Sequence, residues 1–180
     1  MKIIVPLAEG FEEIEAVSIV DVLRRAGLDV TTASLRSNPV KGSHGIPVVA
    51  DRNIGELKAV DFNCIVLPGG MPGAENLKKS DTVLSFIKHV YSKGGYVGAI
   101  CAAPIVLAHA GILYGKKVTV YPGHEPDLEG ATATGAAVEA DGTVITGRGP
   151  GCAIAFALEI VRILSGEKAM AELRKTMQVI

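Results

Sequence analysis

Gly95-Tyr96-Val97-Gly98-Ala99-Ile100-Cys101-Ala102-Ala103-Pro104-Ile105-Val106-Leu107-Ala108-His109 is the stretch on which the fold turns. Its first half is apolar and uncharged, as a strand buried on both faces must be. From Ala102 to His109 the residues favour a helix, with Pro104 early enough in it to be tolerated. A strand that passes directly into a helix is a unit of a parallel sheet. Cys101 stands at the join. A sharp strand-to-helix turn lifts its side chain out of the sheet and aims the following N–H groups at one point. The positive end of the helix is expected to favour the thiolate and to lower an ordinary thiol pKa of about 8.5. Gly98, Ala99, Ala102 and Ala103 are small enough to allow so tight a backbone. A lone cysteine is also a small hydrophobe that cores use freely, so the stretch alone leaves both readings open.

Working outward, the same alternation repeats. Lys2–Leu7 reads as a buried strand, and Glu12–Ala26 as a helix with Ile14, Val17, Val20 and Leu23 at helical spacing and Gly27 past its end. Strands are expected at 28–35 and at 64–67, where Pro68-Gly69-Gly70 stops the run, and a shorter one at 46–50 within an edge hairpin. Ser80-Asp81 opens a helix to about Lys93. Downstream come a strand over 117–120, a hairpin around Asp141-Gly142, and helices from about Cys152 to Leu164 and from Lys168 to Met177. Strands alternating with helices predict an α/β sandwich of three layers, a mostly parallel sheet with helices on both faces. No repeat or linker divides residues 1–180, so one domain is expected.

Composition narrows the function. The 180 residues are 48% hydrophobic and 21% charged, with 18 basic against 19 acidic residues. No basic stripe appears, so no nucleic-acid partner is expected. No apolar run reaches membrane-spanning length and no signal peptide is apparent, so a cytoplasmic protein without a membrane partner is expected. Three cysteines form no paired framework, which fits a reducing compartment. Neither C-x-x-C nor H-x-x-x-H spacing is present, so no metal and no cofactor are expected. The Gly-rich signatures of dinucleotide and P-loop sites are absent as well.

In open α/β sheets ligands bind outside the carboxyl ends of the strands. Five loops there carry distinctive residues: Ala8–Glu15, Pro68–Gly73, Cys101, Tyr121–His124 and Gly147–Gly151. The amides of Gly69 and Gly70 are able to approach a ligand oxygen or simply to form a tight turn. Glu9, Glu12 and Glu13 read as first-turn acids that complement the helix dipole. Glu15 differs, because its neighbours along the helix are apolar. A carboxylate facing inward needs a partner, and a thiol at the sheet end would serve. Arg148 reads either as a structural tie between loops or as a pocket residue. Cys64 reads as core, and His89 and His109 as surface or packing residues.

Together, Leu7-Ala8-Glu9-Gly10-Phe11-Glu12-Glu13-Ile14-Glu15-Ala16-Val17, Val66-Leu67-Pro68-Gly69-Gly70, Ala99–Pro104 and Arg148-Gly149-Pro150-Gly151 resemble the ThiJ/PfpI superfamily. The branch is that of the Parkinson-disease protein deglycase and bacterial YajL. The resemblance covers the whole chain and implies a flavodoxin-like fold, a homodimer, and Cys101 as the reactive cysteine. It implies that Glu15 is a protonated carboxyl bonded to the Cys101 sulfur and that the amides of Gly70 and Ala102 form an oxyanion site. Gly69, Met71, Tyr121, His44, Arg148 and Pro150 would line the pocket. The implied chemistry is glutathione-independent glyoxalase or protein deglycase activity on methylglyoxal or early glycation adducts. The alternative is a redox-sensing stress protein or chaperone whose Cys101 oxidises to sulfinate.

The chain also departs from that pattern. Tyr121 stands where the Parkinson-disease branch has a histidine, and His124 three residues on reads as a rim residue. Ser43-His44 replaces a Ser-Arg pair, so the mouth is expected to be less basic. Ala102 follows the cysteine where the protease-like branch has His, which argues against peptidase activity. His124-Glu125-Pro126 lacks the His-x-Glu pair that a glutamine amidotransferase needs.

Overall fold

β1 (Lys2–Leu7) and β2 (Asp29–Ser34) run parallel, with Lys2 opposite Asp29 and Leu7 opposite Ser34, in a computed structural model that describes residues 1–179. α1 (Glu13–Arg25) connects them. It stops where Gly27, at φ 74°, supplies a left-handed residue: Gly27 N–H donates to the Arg24 carbonyl at 3.0 Å and Leu28 N–H to that of Leu23 at 3.2 Å. β3 (Val40–Lys41) and β4 (Pro47–Val48) form an antiparallel hairpin apart from the main sheet, and β5 (Arg52–Asn53) pairs with β2.

β6 (Cys64–Leu67) leads into α2 (Gly73–Lys78) and α3 (Asp81–Ser92). The Ser80 hydroxyl caps α3 by accepting the Val83 N–H at 3.3 Å. β7 (Tyr96–Ile100) is followed by α4 (Pro104–His109), and β8 (Lys117–Val118) pairs in parallel with β9 (Thr132–Ala133) in a second small sheet. β10 (Val138–Asp141) and β11 (Val144–Gly147) form a hairpin before α5 (Ala153–Ser165) and α6 (Glu167–Thr176).

The seven-stranded sheet has the order β10-β11-β7-β6-β1-β2-β5, and every pair but β10–β11 is parallel. The two-residue period of the strands divides the core. Ile3, Val5 and Leu7 pack with Ile19 and Leu23 of α1 and Phe156 and Val161 of α5. Ile4, Ile65 and Leu67 pack on the other side with Leu77 of α2, Ile87 of α3 and Val106 of α4. The result is the expected three-layer, flavodoxin-like α/β sandwich. Among the described residues, no helix is long and apolar enough to cross a membrane.

Several local expectations change. The spacing of Ile14 and Val17 marks the helix but not its buried face: Ala16, Ile19, Val22 and Leu23 are buried, whereas Ile14 is 59% and Val17 53% exposed. The helix after Cys101 begins at Pro104, after a turn over 101–103, and has only six residues. The strand at 117–120 ends at Val118, because the Thr119 N–H donates to the Thr146 hydroxyl rather than to a strand partner. Pairing of Leu67 with Ala99 and of Ile100 with Gly147 sets the loops after β6, β7 and β11 side by side.

Candidate active site

Three loop starts and one helix meet at Cys101. Its backbone has φ 62°, a left-handed conformation that side-chain-bearing residues rarely adopt. The surroundings hold it there: Cys101 N–H donates to the Gly147 carbonyl and Tyr121 N–H donates to the Cys101 carbonyl, both at 2.9 Å. Strain of this kind costs on the order of 1–3 kcal/mol and persists only where neighbours over-determine it.

Glu15, on the inner face of α1, is fully buried. Its Oε2 accepts the Gly69 N–H at 2.7 Å, and its Oε1 has no hydrogen-bond partner of good geometry. The carboxyl nonetheless touches the Cys101 sulfur closely enough for each group to shift the other. Gly69 is required by this approach. A Cβ there would lie 2.7 Å from the Cys101 Cβ, 2.7 Å from the Ile100 carbonyl and 2.9 Å from Glu15 Oε2.

Burial raises the Glu15 carboxyl to about 7, against the Gly69 N–H and the neighbouring Cys101 thiol, and the Glu12 charge adds to the rise. Burial first, then the charge of an ionised Glu15, push the Cys101 thiol up to about 12, while the N–H groups of Gly70 and Ala102 pull it down. The expected lowering of the Cys101 pKa by a helix end is therefore corrected. α4 is short and starts too late, and the two loop amides supply the positive field instead. The protonation of the carboxyl and that of the thiol depend on each other. An ionised Glu15 keeps the thiol protonated, whereas a neutral Glu15 offers its proton to a thiolate.

Compared with known protein families, residues 1–163 match the DJ-1/PfpI family. The chain belongs to the DJ-1/PfpI family. Protein dj-1beta of Drosophila melanogaster is 39% identical over 179 residues, covering 98% of this chain and 96% of the relative. A Pyrococcus abyssi relative named as a deglycase is 31% identical over 166 residues, covering 91% of this chain and 99% of its own length. The solved structure of oxidized Toxoplasma gondii DJ-1 superposes with a TM-score of 0.94 at 36% identity, covering 98% of this chain and 97% of that one. The chain spans less than half the length of the two Arabidopsis thaliana DJ-1 homologues, A and B, that it matches at 40% identity.

Within this DJ-1/PfpI fold the remaining expected residues take different positions. Met71 is exposed, next to Pro72. The half-exposed Tyr121 ring lies over Gly149, where a Cβ would be 3.2 Å from it. Pro150 opens a short turn, and Arg148 is exposed with its N–H bonded to the Ala137 carbonyl at 3.0 Å. Among the described residues the Arg148 guanidinium makes no hydrogen bond, so it does not tie the loops together. His124 pairs with Asp127 at 3.1 Å. A cleft of about 270 Å³ beside the ends of β1 and β2 is lined by Ala8, Glu9, Arg36, Asn76, Lys79 and Ser80, without Cys101 or Glu15.

Glu13 lies in the first turn of α1 with Glu12 at its N-cap, as expected of acids that complement the helix dipole, but the two do more than that. Both are buried beneath the β3–β4 hairpin, and Glu13 Oε1 accepts the N–H groups of His44 at 2.8 Å and Ile46 at 3.2 Å. Burial opposes the Glu13 charge, but its own amide, the His44 side chain and those two amides outweigh it and hold the carboxyl at about 2. His44 itself contacts Glu13 rather than Cys101.

Cys64 lies inside β6 with burial pushing its thiol up to about 12 and no amide aimed at it to offset the cost. Because the Gly70 and Ala102 amides and a protonated Glu15 favour its thiolate, Cys101 is expected to be oxidised by peroxide at low excess well before Cys64 or Cys152, as read by peptide mass spectrometry. Equal modification of the three would count against a specialised sulfur.

Proposed function

We propose that the chain, acting as one domain over 1–180, is a cysteine-dependent enzyme of the glyoxalase or deglycase type. Its substrates would be small aldehydes such as methylglyoxal or early glycation adducts. One observation carries this reading: a fully buried carboxyl with an unpartnered oxygen beside a cysteine on a strained turn, faced by two backbone N–H groups. Nucleophile, acid–base group and oxyanion donors are the three parts that the reaction needs. The Pyrococcus relative's name supports the same chemistry. Cys101 is only 8% exposed, which favours a small reacting group.

In this scheme the Cys101 thiolate adds to the aldehyde carbon, and the Gly70 and Ala102 N–H groups take up the developing oxyanion. Glu15 protonates that oxygen, giving a hemithioacetal. It then removes the proton from the sulfur-bearing carbon and returns it to the neighbouring carbon, while the hydroxyl proton passes to the neighbouring oxygen, leaving a thioester. Water cleaves the C–S bond, lactate leaves and the thiol is restored, so the net change is addition of one water. Wild type is expected to convert methylglyoxal to lactate above the buffer rate, and Cys101→Ser to fall to that rate. Equal rates in the two proteins would refute the reading. A second reading rests on the same donors: Gly70, Ala102 and a protonated Glu15 would also hold a sulfinate on Cys101, making the protein an oxidation sensor without turnover. A wild type with no turnover but ready Cys101 oxidation would select it.

We infer that two copies associate through the exposed apolar residues Ile14 and Val17 of α1, with Val49 beyond β4. A groove lined by Val17, Val20, Val48 and Val49 links the two elements. Sedimentation at micromolar concentration is expected to give twice the chain mass, and Val17→Asp to give a monomer. A wild-type monomer would contradict the interface.

A further inference from the structure

Glu12, Glu13 and His44 are brought together by folding alone, since the imidazole stands 31 residues from Glu13 in the chain. Their donor atoms all lie within 4.8 Å of one another. His44 Nδ1 is 3.1 Å from Glu13 Oε2 and 3.5 Å from Glu12 Oε2. Ligands about 2.1 Å from a tetrahedral zinc ion stand about 3.4 Å apart, so both spacings already match one edge of that tetrahedron. The Ser43 hydroxyl sits among them, 3.3 Å from each carboxylate and 3.1 Å from the imidazole.

The charge there is unbalanced. Glu12 and Glu13 are 8% and 5% exposed, and among the described residues no lysine or arginine lies within 4.0 Å of either. Two carboxylates face a single imidazole that carries one positive charge at most: hydrogen bonds hold the Glu13 charge, whereas Glu12 has the Ser43 hydroxyl at 3.3 Å. Glu13 is fixed as a ligand in advance, because its Oε1 holds the His44 and Ile46 amides and leaves Oε2 toward the cluster. The His44 side chain is 70% exposed, so the cluster opens to solvent on one side.

We propose that Glu12, Glu13 and His44 form a binding site for a divalent transition-metal ion of the zinc type, with solvent completing the coordination. The ion takes Glu12 Oε2, Glu13 Oε2 and His44 Nδ1, and the Nδ1 proton leaves to solvent as it binds. Two hard oxygens with one imidazole suit zinc, and the nitrogen selects it over magnesium. The three ligands do not include the Cys101 sulfur, which is itself a zinc ligand by type, so the test removes that thiol.

Calorimetric titration of the Cys101→Ser protein with zinc chloride at pH 7.5 is expected to show one site per chain and no comparable site for magnesium. Adding His44→Ala, a change at an exposed side chain, should weaken zinc binding at least tenfold, and Glu12→Gln should do the same. Cobalt(II) in place of zinc should give visible absorption of a four- or five-coordinate ion that His44→Ala abolishes. No zinc binding by the Cys101→Ser protein, or binding that survives both His44→Ala and Glu12→Gln in folded proteins, overturns the proposal.

Discussion

Replacing Glu15 with Gln is expected to cut turnover by about 10²–10⁴-fold while making the protein more stable at pH 8. The loss follows from the chemistry: an amide keeps the size of the carboxyl and its acceptor for the Gly69 N–H at 2.7 Å but cannot carry a proton between carbons. The gain follows from linkage. An unfolded Glu15 ionises near 4.5, whereas the folded carboxyl holds its proton to about 7. Between those values the unfolded chain binds fewer protons, so stability falls as pH rises, by about 3 kcal/mol once both states are ionised. Gln removes that loss. Its buried NH2 group, set against a weak sulfur acceptor, takes back part of it, leaving a net gain of about 1–2 kcal/mol at pH 8. Near pH 4 no linkage gain remains. Urea titrations of both proteins at pH 4 and pH 8 measure the difference, and a variant less stable than wild type at pH 8 would contradict the raised carboxyl.

Glu15→Leu separates the two faces of the same group through iodoacetamide rates. At pH 6 wild-type Glu15 is protonated and donates to the thiolate, so the Leu variant should react more slowly. At pH 9 wild-type Glu15 is ionised and repels a thiolate, so the Leu variant should match or exceed wild type. A pH profile unchanged by the substitution would remove Glu15 from the site.

Gly69→Ala is the second large effect. The added methyl has no room, because the atoms at 2.7 Å are the Cys101 Cβ and the Ile100 carbonyl, neither of them the end of a flexible side chain. The loop after β6 must move away from β7, and the Gly69 N–H must leave Glu15. Overpacking of this kind costs about 1–3 kcal/mol. A misplacement of about 1 Å at reacting groups costs about 10²-fold in rate. Gly151→Ala, where nothing lies within 4 Å of the new methyl, is the control for stability and should be near neutral. Wild-type turnover in a folded Gly69→Ala protein would show that the approach of Gly69 to Cys101 and Glu15 is not needed.

What could be read in advance was what depends on neighbours in sequence. An uncharged strand ending in Cys101-Ala102 puts the sulfur and the Ala102 amide on adjacent residues, and bonds to Gly147 and from Tyr121 then fix the turn between them. Glu15 stood out because a carboxylate amid apolar neighbours on a helix must meet a partner, and it meets Gly69 and Cys101. Glu12 and Glu13 did not stand out. Acids in a first turn have a sufficient local explanation, and their burial is imposed by a hairpin at 40–48 that the helix cannot foretell. Ile14 and Val17 belong to an apolar surplus on α1 larger than one buried stripe requires, but helical spacing is the same for a face against the core and a face left open, so it does not say which residues are the surplus. α2 escaped notice because its six residues, starting directly after Pro72, are too few to show a period.

Both margins of the main sheet are blunt. One is β5, only Arg52 and Asn53, and the other is β10, where Glu139 and Asp141 put two negative charges on four residues. An outer strand that is short or charged offers a poor template for a further strand. Growth by strand addition, the route to fibrils, is thus hindered at both ends even though the interior is rich in β-branched residues. Such a protein is able to carry an exposed apolar patch on α1 without also offering an open ladder to its neighbours. Crowded or heat-stressed solutions should favour discrete particles over cross-β aggregates for as long as the sheet stays folded.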